Sequence, residues 1–233
     1  SGGAPPPPPL SEALWPLPQQ LTPKPEYGGY SLLYSDWVIA TDTTNYNDTF
    51  AASELRDFLL AKTNGSLLLP MVPLRSVGVG TGGFRCGSPN ATVCKYIAIG
   101  DPAKDANLWA LASAHNLSVP NDLDPDEGYV LDVANQLHPQ GNAVFVLAPS
   151  AAGRYFGVQT LMQMLNTSTA GGPTLQVPGA RIIDWPDMKI RGFLMSGLGE
   201  KAPSPFFYAD AELMTRSKMN FAFLEFMANV PYS

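Results

Sequence analysis

A chain of 233 residues, 45% hydrophobic and with four tryptophans, has the length and apolar content for one large domain, or one moderate domain plus part of another. Twenty acidic residues against fourteen basic leave a net charge of -6, and no concentrated Lys/Arg tract offsets it, which argues against a nucleic-acid partner. No apolar run reaches the ~18 residues that a membrane-spanning helix requires.

The first thirteen residues are a proline-rich extended segment. SGGAPPPPPL contains five consecutive prolines, which favour polyproline II with no internal hydrogen bonds. Such a run serves as a spacer, a docking segment, or a site of proline hydroxylation and glycosylation; the letters leave all three open. The same stretch has neither a charged n-region nor an apolar h-region. It reads as a mature N-terminus or an artificial end, with any signal peptide already removed.

Residues 14–180 read as one α/β domain, a mixed sheet flanked by helices without internal repeat. LWPLPQQLT, residues 14–22, suits an edge strand or extended arm, because Pro16 and Pro18 cannot both donate in a central ladder. SLLYSDWVIA, residues 31–40, has the pattern of a strand. In FAASELRDFLLAK, residues 50–62, the spacing of Ala51, Leu55, Phe58 and Leu59 predicts a helix with one buried face, closed by Asn64-Gly65. KYIAIG (95–100) is a short strand and ANLWALASAHN (106–116) a short helix. YVLDV (129–133) and AVFVL (143–147) read as paired strands, and SAAGRYFGVQTLMQMLN (150–166) as a long helix.

Beyond Pro178 the texture changes. Arg181–Ile183 is a short extended piece and Asp184-Trp185-Pro186 a turn. IRGFLM (190–195) suits a strand, a helix is expected across Tyr208–Ser217, and Phe221–Phe226 suits a second strand. Strand, helix, strand is how a (β/α)8 TIM barrel begins, so residues 181–233 are expected to form the incomplete start of one.

Five N-x-S/T sequons begin at Asn47, Asn64, Asn90, Asn116 and Asn166, each placed at an expected loop or element end. Cys86 and Cys94 enclose a Gly-Ser-Pro turn and suit a local disulfide in an oxidising compartment, with two buried thiols as the alternative. Together these features point to a secreted or extracellular-surface glycoprotein. Two cysteines are too few for a metal site, and His115 and His138 have no evident reason to join them; they suit surface or turn positions.

Several of these segments together resemble family 20 glycoside hydrolases, the β-N-acetylhexosaminidases, from Leu14 to Phe226. LWPLPQQLT looks like the opening strand of that family's small N-terminal domain, and GYVLDV like its central strand. AAGRYFGVQTLMQML is similar to its A-G-x-x-Y/F-G-x-Q-T-L-x-Q-L helix, IIDWPDMKIRGFLM to the passage into barrel strand 1, and MTRSKMNFAFLEF to helix 1 and strand 2, including Lys218-x-Asn220. In plain packing terms, Gly153 and Gly157 suit close helix–sheet approach, while Gln159 and Gln163 can tie down backbone groups. Those residues speak of fold rather than function.

The resemblance implies substrate-assisted glycoside cleavage, in which the sugar's own N-acetyl group attacks, an Asp orients it and the adjacent Glu protonates the leaving oxygen. That pair follows barrel strand 4 in the family and lies outside these residues, so the chain alone is expected to be inactive. No catalytic residue is assigned, and neither cofactor nor metal is expected. The barrel start also departs from the family pattern. After Arg191-Gly192, Ser196 stands at the family's Asp and Gly199 at its sugar-gripping Arg; glycine has no side chain to make bidentate bonds. Where the family's strand 2 ends H-x-H-L-T-D-D, this chain has Phe223, Glu225, Ala228 and Asn229 at the imidazole and carboxylate positions. Arg191 is then expected to be structural, while Glu225, at the C-terminal end of a strand, is the residue placed for ligand work.

Two functions follow. One is a degenerate, structural glycoprotein of an extracellular matrix, wall or fibre. The other is a processed chain of an active glycosidase, completed by a C-terminal chain or by the remainder of the same precursor. Partners are that remainder or neighbouring subunits, with N-linked glycans on the surface. A sugar-binding module is a third reading, for which the sequence shows no convincing aromatic platform.

Overall fold

The computed structural model describes residues 9–24, 30–80, 83–85, 95–134, 142–166, 175–198 and 205–226. The chain divides into two compact units, Ser1–Trp185 and Pro186–Ser233.

The first unit opens with the short helix α1 (Leu10–Ala13), where the sequence predicts an extended segment, then β1 (Gln20–Pro23), β2 (Tyr30–Leu33) and β3 (Val38–Thr41). Helix α2 (Tyr46–Lys62) leads to β4 (Met71–Pro73), the hairpin strands β5 (Gly78–Gly80) and β6 (Gly83–Arg85), and β7 (Lys95–Gly100). Then follow α3 (Ala106–Ala114), β8 (Tyr129–Ala134), β9 (Asn142–Leu147), α4 (Ala151–Asn166), β10 (Leu175–Pro178) and β11 (Ala180–Asp184).

Seven of these strands form one mixed sheet in the order β1-β11-β8-β9-β7-β3-β4. The pairs β1–β11, β11–β8 and β8–β9 are antiparallel, while β9–β7, β7–β3 and β3–β4 are parallel. β1 lies at one edge, as its flanking prolines require. The sequence SLLYSDWVIA, a single strand by its pattern, is divided. Trp37 N donates to Tyr34 O to close a turn, β2 pairs with β10 in a separate two-stranded sheet, and only β3 joins the main one.

The central strands are apolar throughout because both faces of the sheet are covered. Ile97, Ile99, Val144 and Val146 point to a core built with Ala51, Leu55 and Leu59 of α2 and Phe156, Val158 and Leu161 of α4. Their alternates Tyr96, Ala98, Phe145 and Leu147 point to a second core with Leu108, Leu111 and Ala112 of α3. At α4 the helix comes very close to the sheet. A Cβ added to Gly153 would stand 2.3 Å from Gly128 O, and one on Gly157 would stand 2.6 Å from Val146 Cγ1. Gln163 holds the arm before β1, its Nε2 donating to Trp15 O (2.7 Å) and its Oε1 accepting from Trp15 N (2.8 Å).

Strand β11 contains Arg181–Ile183, which the sequence groups with the following segment. Here it runs in the main sheet between β1 and β8. The second unit comprises β12 (Gly192–Leu198), α5 (Pro205–Arg216) and β13 (Phe221–Phe226), a β–α–β unit whose strands are parallel and form no closed barrel among the described residues. No described helix is long and apolar enough to cross a membrane.

Candidate functional site

The β12–α5–β13 unit carries the two residues singled out for site or barrel roles. Helix α5 ends with Met219 N donating to Met214 O and Lys218 N to Thr215 O, with Lys218 at φ 55. This is the reversal that ends many helices, with a lysine in the left-handed position where glycine is commoner. Lys218 is buried, and its carbonyl accepts from Arg191 Nε at 2.9 Å. Arg191 Nη1 donates to Met188 O at 2.6 Å. Two of the guanidinium nitrogens thus donate to backbone carbonyls within the same unit.

Asn220 completes this arrangement. Its Oδ1 accepts from Arg191 N (2.9 Å), its Nδ2 donates to Lys189 O (2.7 Å), and the Asn220 and Phe221 amides both donate to Arg191 O. Gly192 follows because a Cβ there would lie 1.7 Å from Phe221 O. The Arg191-Gly192 pair and Lys218-x-Asn220 therefore staple together the N-terminal ends of two parallel strands, the end that serves stability in barrels.

Glu225 is the penultimate residue of β13, at the opposite, C-terminal end of the strand pair. Arg191 and Glu225 are therefore not brought together. Ser196 lies within β12, and Gly199, Ala228 and Asn229 lie outside the described residues.

In the first unit several buried polar groups pair with one another. Tyr129 OH donates to Asp184 Oδ2 (2.7 Å) and meets Thr160 Oγ1 at 2.6 Å, while Asp184 Oδ1 accepts from Gln19 N. Burial, reinforced by the Asp184 charge, pushes the Tyr129 hydroxyl well above its ordinary value, so it remains a neutral donor. Arg154 Nε pairs with buried Asp48 at 2.6 Å and its Nη1 donates to Ala148 O. Burial outweighs the guanidinium and raises the Asp48 carboxyl above the ordinary carboxylate range. Asp132, also buried, accepts from both Lys24 and Arg181.

His115, expected at a surface or turn position, lies in the turn after α3 but is buried. It ends α3 with its ring 4.9 Å from that of Phe145 and its Nε2 3.5 Å from Tyr96 OH. His138, Cys86, Cys94 and Asn90 lie outside the described residues. Among the described residues, no cluster of His, Cys, Asp or Glu could hold a metal.

Of the remaining sequon asparagines, Asn47 is exposed in the first turn of α2, and Asn64 and Asn116 are exposed in turns at φ 51 and 54. Asn166 is the last residue of α4. The sequence gives no sign of a row of rings beside Asn47. Tyr46 and Phe50 lie 6.4 Å apart and Phe50 and Tyr155 5.8 Å apart, each pair within 24° of parallel.

The family model for glycosyl hydrolase family 20, domain 2, matches residues 12–185. No curated protein matches the chain. Among solved structures, the fold is similar to the family 20 β-N-acetylhexosaminidase of Streptomyces coelicolor A3(2), with 21% identity and a TM-score of 0.63 over 94% of this chain and 35% of that one. It is also similar to the N-acetyl-β-hexosaminidase of Streptomyces plicatus (21%, TM-score 0.61, 94% and 35%) and to the exo-β-N-acetylglucosaminidase of Vibrio harveyi (16%, 0.59, 92% and 25%). The first unit thus has the architecture of a hexosaminidase's smaller α/β domain, a mixed sheet with helices on both faces. The chain belongs to glycoside hydrolase family 20. It spans about a third of the length of the first two of these relatives and a quarter of the third.

Proposed function

We propose that this chain is the N-terminal, non-catalytic part of a secreted β-N-acetylhexosaminidase-like glycoprotein whose role is structural. The barrel begun by β12, α5 and β13 is completed by the remainder of the same precursor or by a separate C-terminal chain, with neighbouring subunits of an extracellular assembly as further partners. The observation that carries the loss of catalysis is the pair Ser196 and Gly199, standing where the family pattern has an Asp and a sugar-gripping Arg. Serine keeps one short hydroxyl and glycine nothing, so neither can grip sugar hydroxyls as a guanidinium does. The use of Arg191 as a strand staple agrees with this reading.

A second reading is a processed chain of an active glycosidase with its Asp-Glu pair on the remainder. The exposed apolar side chains of the second unit favour completion of the barrel in either case. Leu194, Phe221 and Phe223 are each about half exposed on a two-stranded sheet, which further strands and helices would cover.

Hydrolysis of p-nitrophenyl N-acetyl-β-D-glucosaminide by the full-length secreted protein separates the two. A structural glycoprotein releases no p-nitrophenol above the buffer rate. Turnover that disappears when an adjacent Asp-Glu pair in the remainder is replaced by Asn-Gln establishes the glycosidase.

A further inference from the structure

We propose that Asn47 carries an N-linked glycan whose first N-acetylglucosamine lies between α2 and α4, against the rings of Phe50 and Tyr155. This rests on the reading of the chain as a secreted glycoprotein and adds where one sugar sits.

The sequon Asn47-Asp48-Thr49 occupies the first turn of α2, where the Asn45 side chain caps the helix by accepting from the Asn47 and Asp48 amides. That cap sets the rotation of the turn. Asp48 is directed inward to Arg154, and Asn47 is left exposed. Residues three and four apart share a helix face, so Asn47 and Tyr46 both stand over Phe50. Across from them α4 presents Ala151 and Ala152, whose small side chains leave a hollow of about 210 Å³ lined by Asn47, Phe50, Ala151, Ala152 and Tyr155. That volume suits one sugar ring.

The chemistry of the hollow matches an acetylated sugar. The face of an aromatic ring carries negative π density and attracts C–H groups bearing partial positive charge, such as those on one face of a pyranose. The acetamido methyl supplies an apolar group for the same surface. Without such a cover, Tyr46 is 78% exposed and Phe50 43% exposed, with their rings nearly parallel. A wider hollow that Phe50 also lines is rimmed by Thr43, Thr44, Thr49, Ser53 and Arg56; the Thr44, Thr49 and Ser53 hydroxyls donate within the chain and keep acceptor capacity for the hydroxyls of an extending glycan. Asn64 and Asn116 line neither hollow.

The test uses the full-length protein secreted from a eukaryotic host with ¹³C-methyl-labelled N-acetyl groups, trimmed by an endoglycosidase to one N-acetylglucosamine per occupied sequon. Glycopeptide mass gives occupancy, and Asn47→Gln assigns the Asn47 methyl signal. That signal is expected upfield of the acetyl methyls at the other sequons, because it lies over the rings. Phe50→Leu moves it back toward them with occupancy unchanged. An Asn47 that stays bare while other sequons are occupied overturns the proposal and leaves the glycoprotein reading standing. An occupied Asn47 with an ordinary methyl position overturns it as well. No sugar at any sequon removes both.

Discussion

Arg191 and Asn220 bond each other reciprocally. The Arg191 amide donates to the Asn220 side chain at 2.9 Å, and the Asn220 amide donates to the Arg191 carbonyl at 2.8 Å. One asparagine thereby fixes the relative start of β12 and β13. In Asn220→Ala the backbone bonds remain while both side-chain bonds go. The expected cost is about 1–2 kcal/mol, the low end of the usual net value for each of two exposed hydrogen bonds. Amide hydrogen exchange in the full-length protein should show Arg191 and Phe221 exchanging faster in the variant, with the amides of β7 and β9 unchanged.

Gly153 and Gly157 differ in what a methyl group would meet. At Gly153 the obstacle is the Gly128 carbonyl, and at Gly157 it is chiefly the Val146 side chain. Backbone yields less readily than a side chain, so Gly153→Ala should be the more destabilising of the two. Overpacking of this kind costs about 1–3 kcal/mol. Denaturant midpoints of the two variants give the order directly.

The clasp between Gln163 and Trp15 holds the arm ahead of β1. Gln163→Ala removes both bonds at once and should release residues 10–19 to limited proteolysis while global stability falls by about 1–2 kcal/mol. A cleavage pattern identical to that of the wild type would show that the arm is held by other contacts.

Asp48 and Arg154 form a buried pair within the first unit. Arg154→Met leaves Asp48 without its counter-charge, an expected loss of about 3–5 kcal/mol, whereas Asp48→Leu with Arg154→Met should recover most of it. The pair also sets a pH dependence. Burial raises the folded carboxyl above its unfolded value. From the ordinary carboxylate range up to that raised value, the folded protein holds a proton that the unfolded chain has released. The contribution of Asp48 to stability is therefore present at low pH and lost as pH rises through the folded value. Asp48→Asn should remove this slope from the unfolding free energy measured against pH.

Much of the first unit is legible because its strands and helices carry strong local patterns. KYIAIG, AVFVL and the Ala151–Asn166 helix are apolar enough to be recognised, and the two covered faces of the sheet explain why. The run from 31 to 40 hides its break because Trp37 keeps the stretch hydrophobic while Tyr34–Trp37 turns. β10 is too short to announce itself and exists through its pairing with β2. Likewise, His115 lies just past a helix end, and Tyr96 and Phe145, brought in by two strands, help make that position an interior one. The row of rings at Asn47 depends on Tyr155, which comes from another helix far along the chain. The strand staple is half legible. Arg191-Gly192 and Lys218-x-Asn220 stand out as motifs, but their mutual bonding is set by the parallel register of β12 and β13.

The central claim is that β12, α5 and β13 begin a barrel that other polypeptide of the same precursor completes. Native mass spectrometry of the protein purified from its natural source, with the dissociated chains weighed in the same experiment, tests it most directly. The account predicts that these residues are recovered either within a longer chain or bound to a second chain of the precursor, in both cases well above the 25.0 kDa of the sequence itself. A stable monomer of 25.0 kDa, with Leu194, Phe221 and Phe223 open to water, would contradict it.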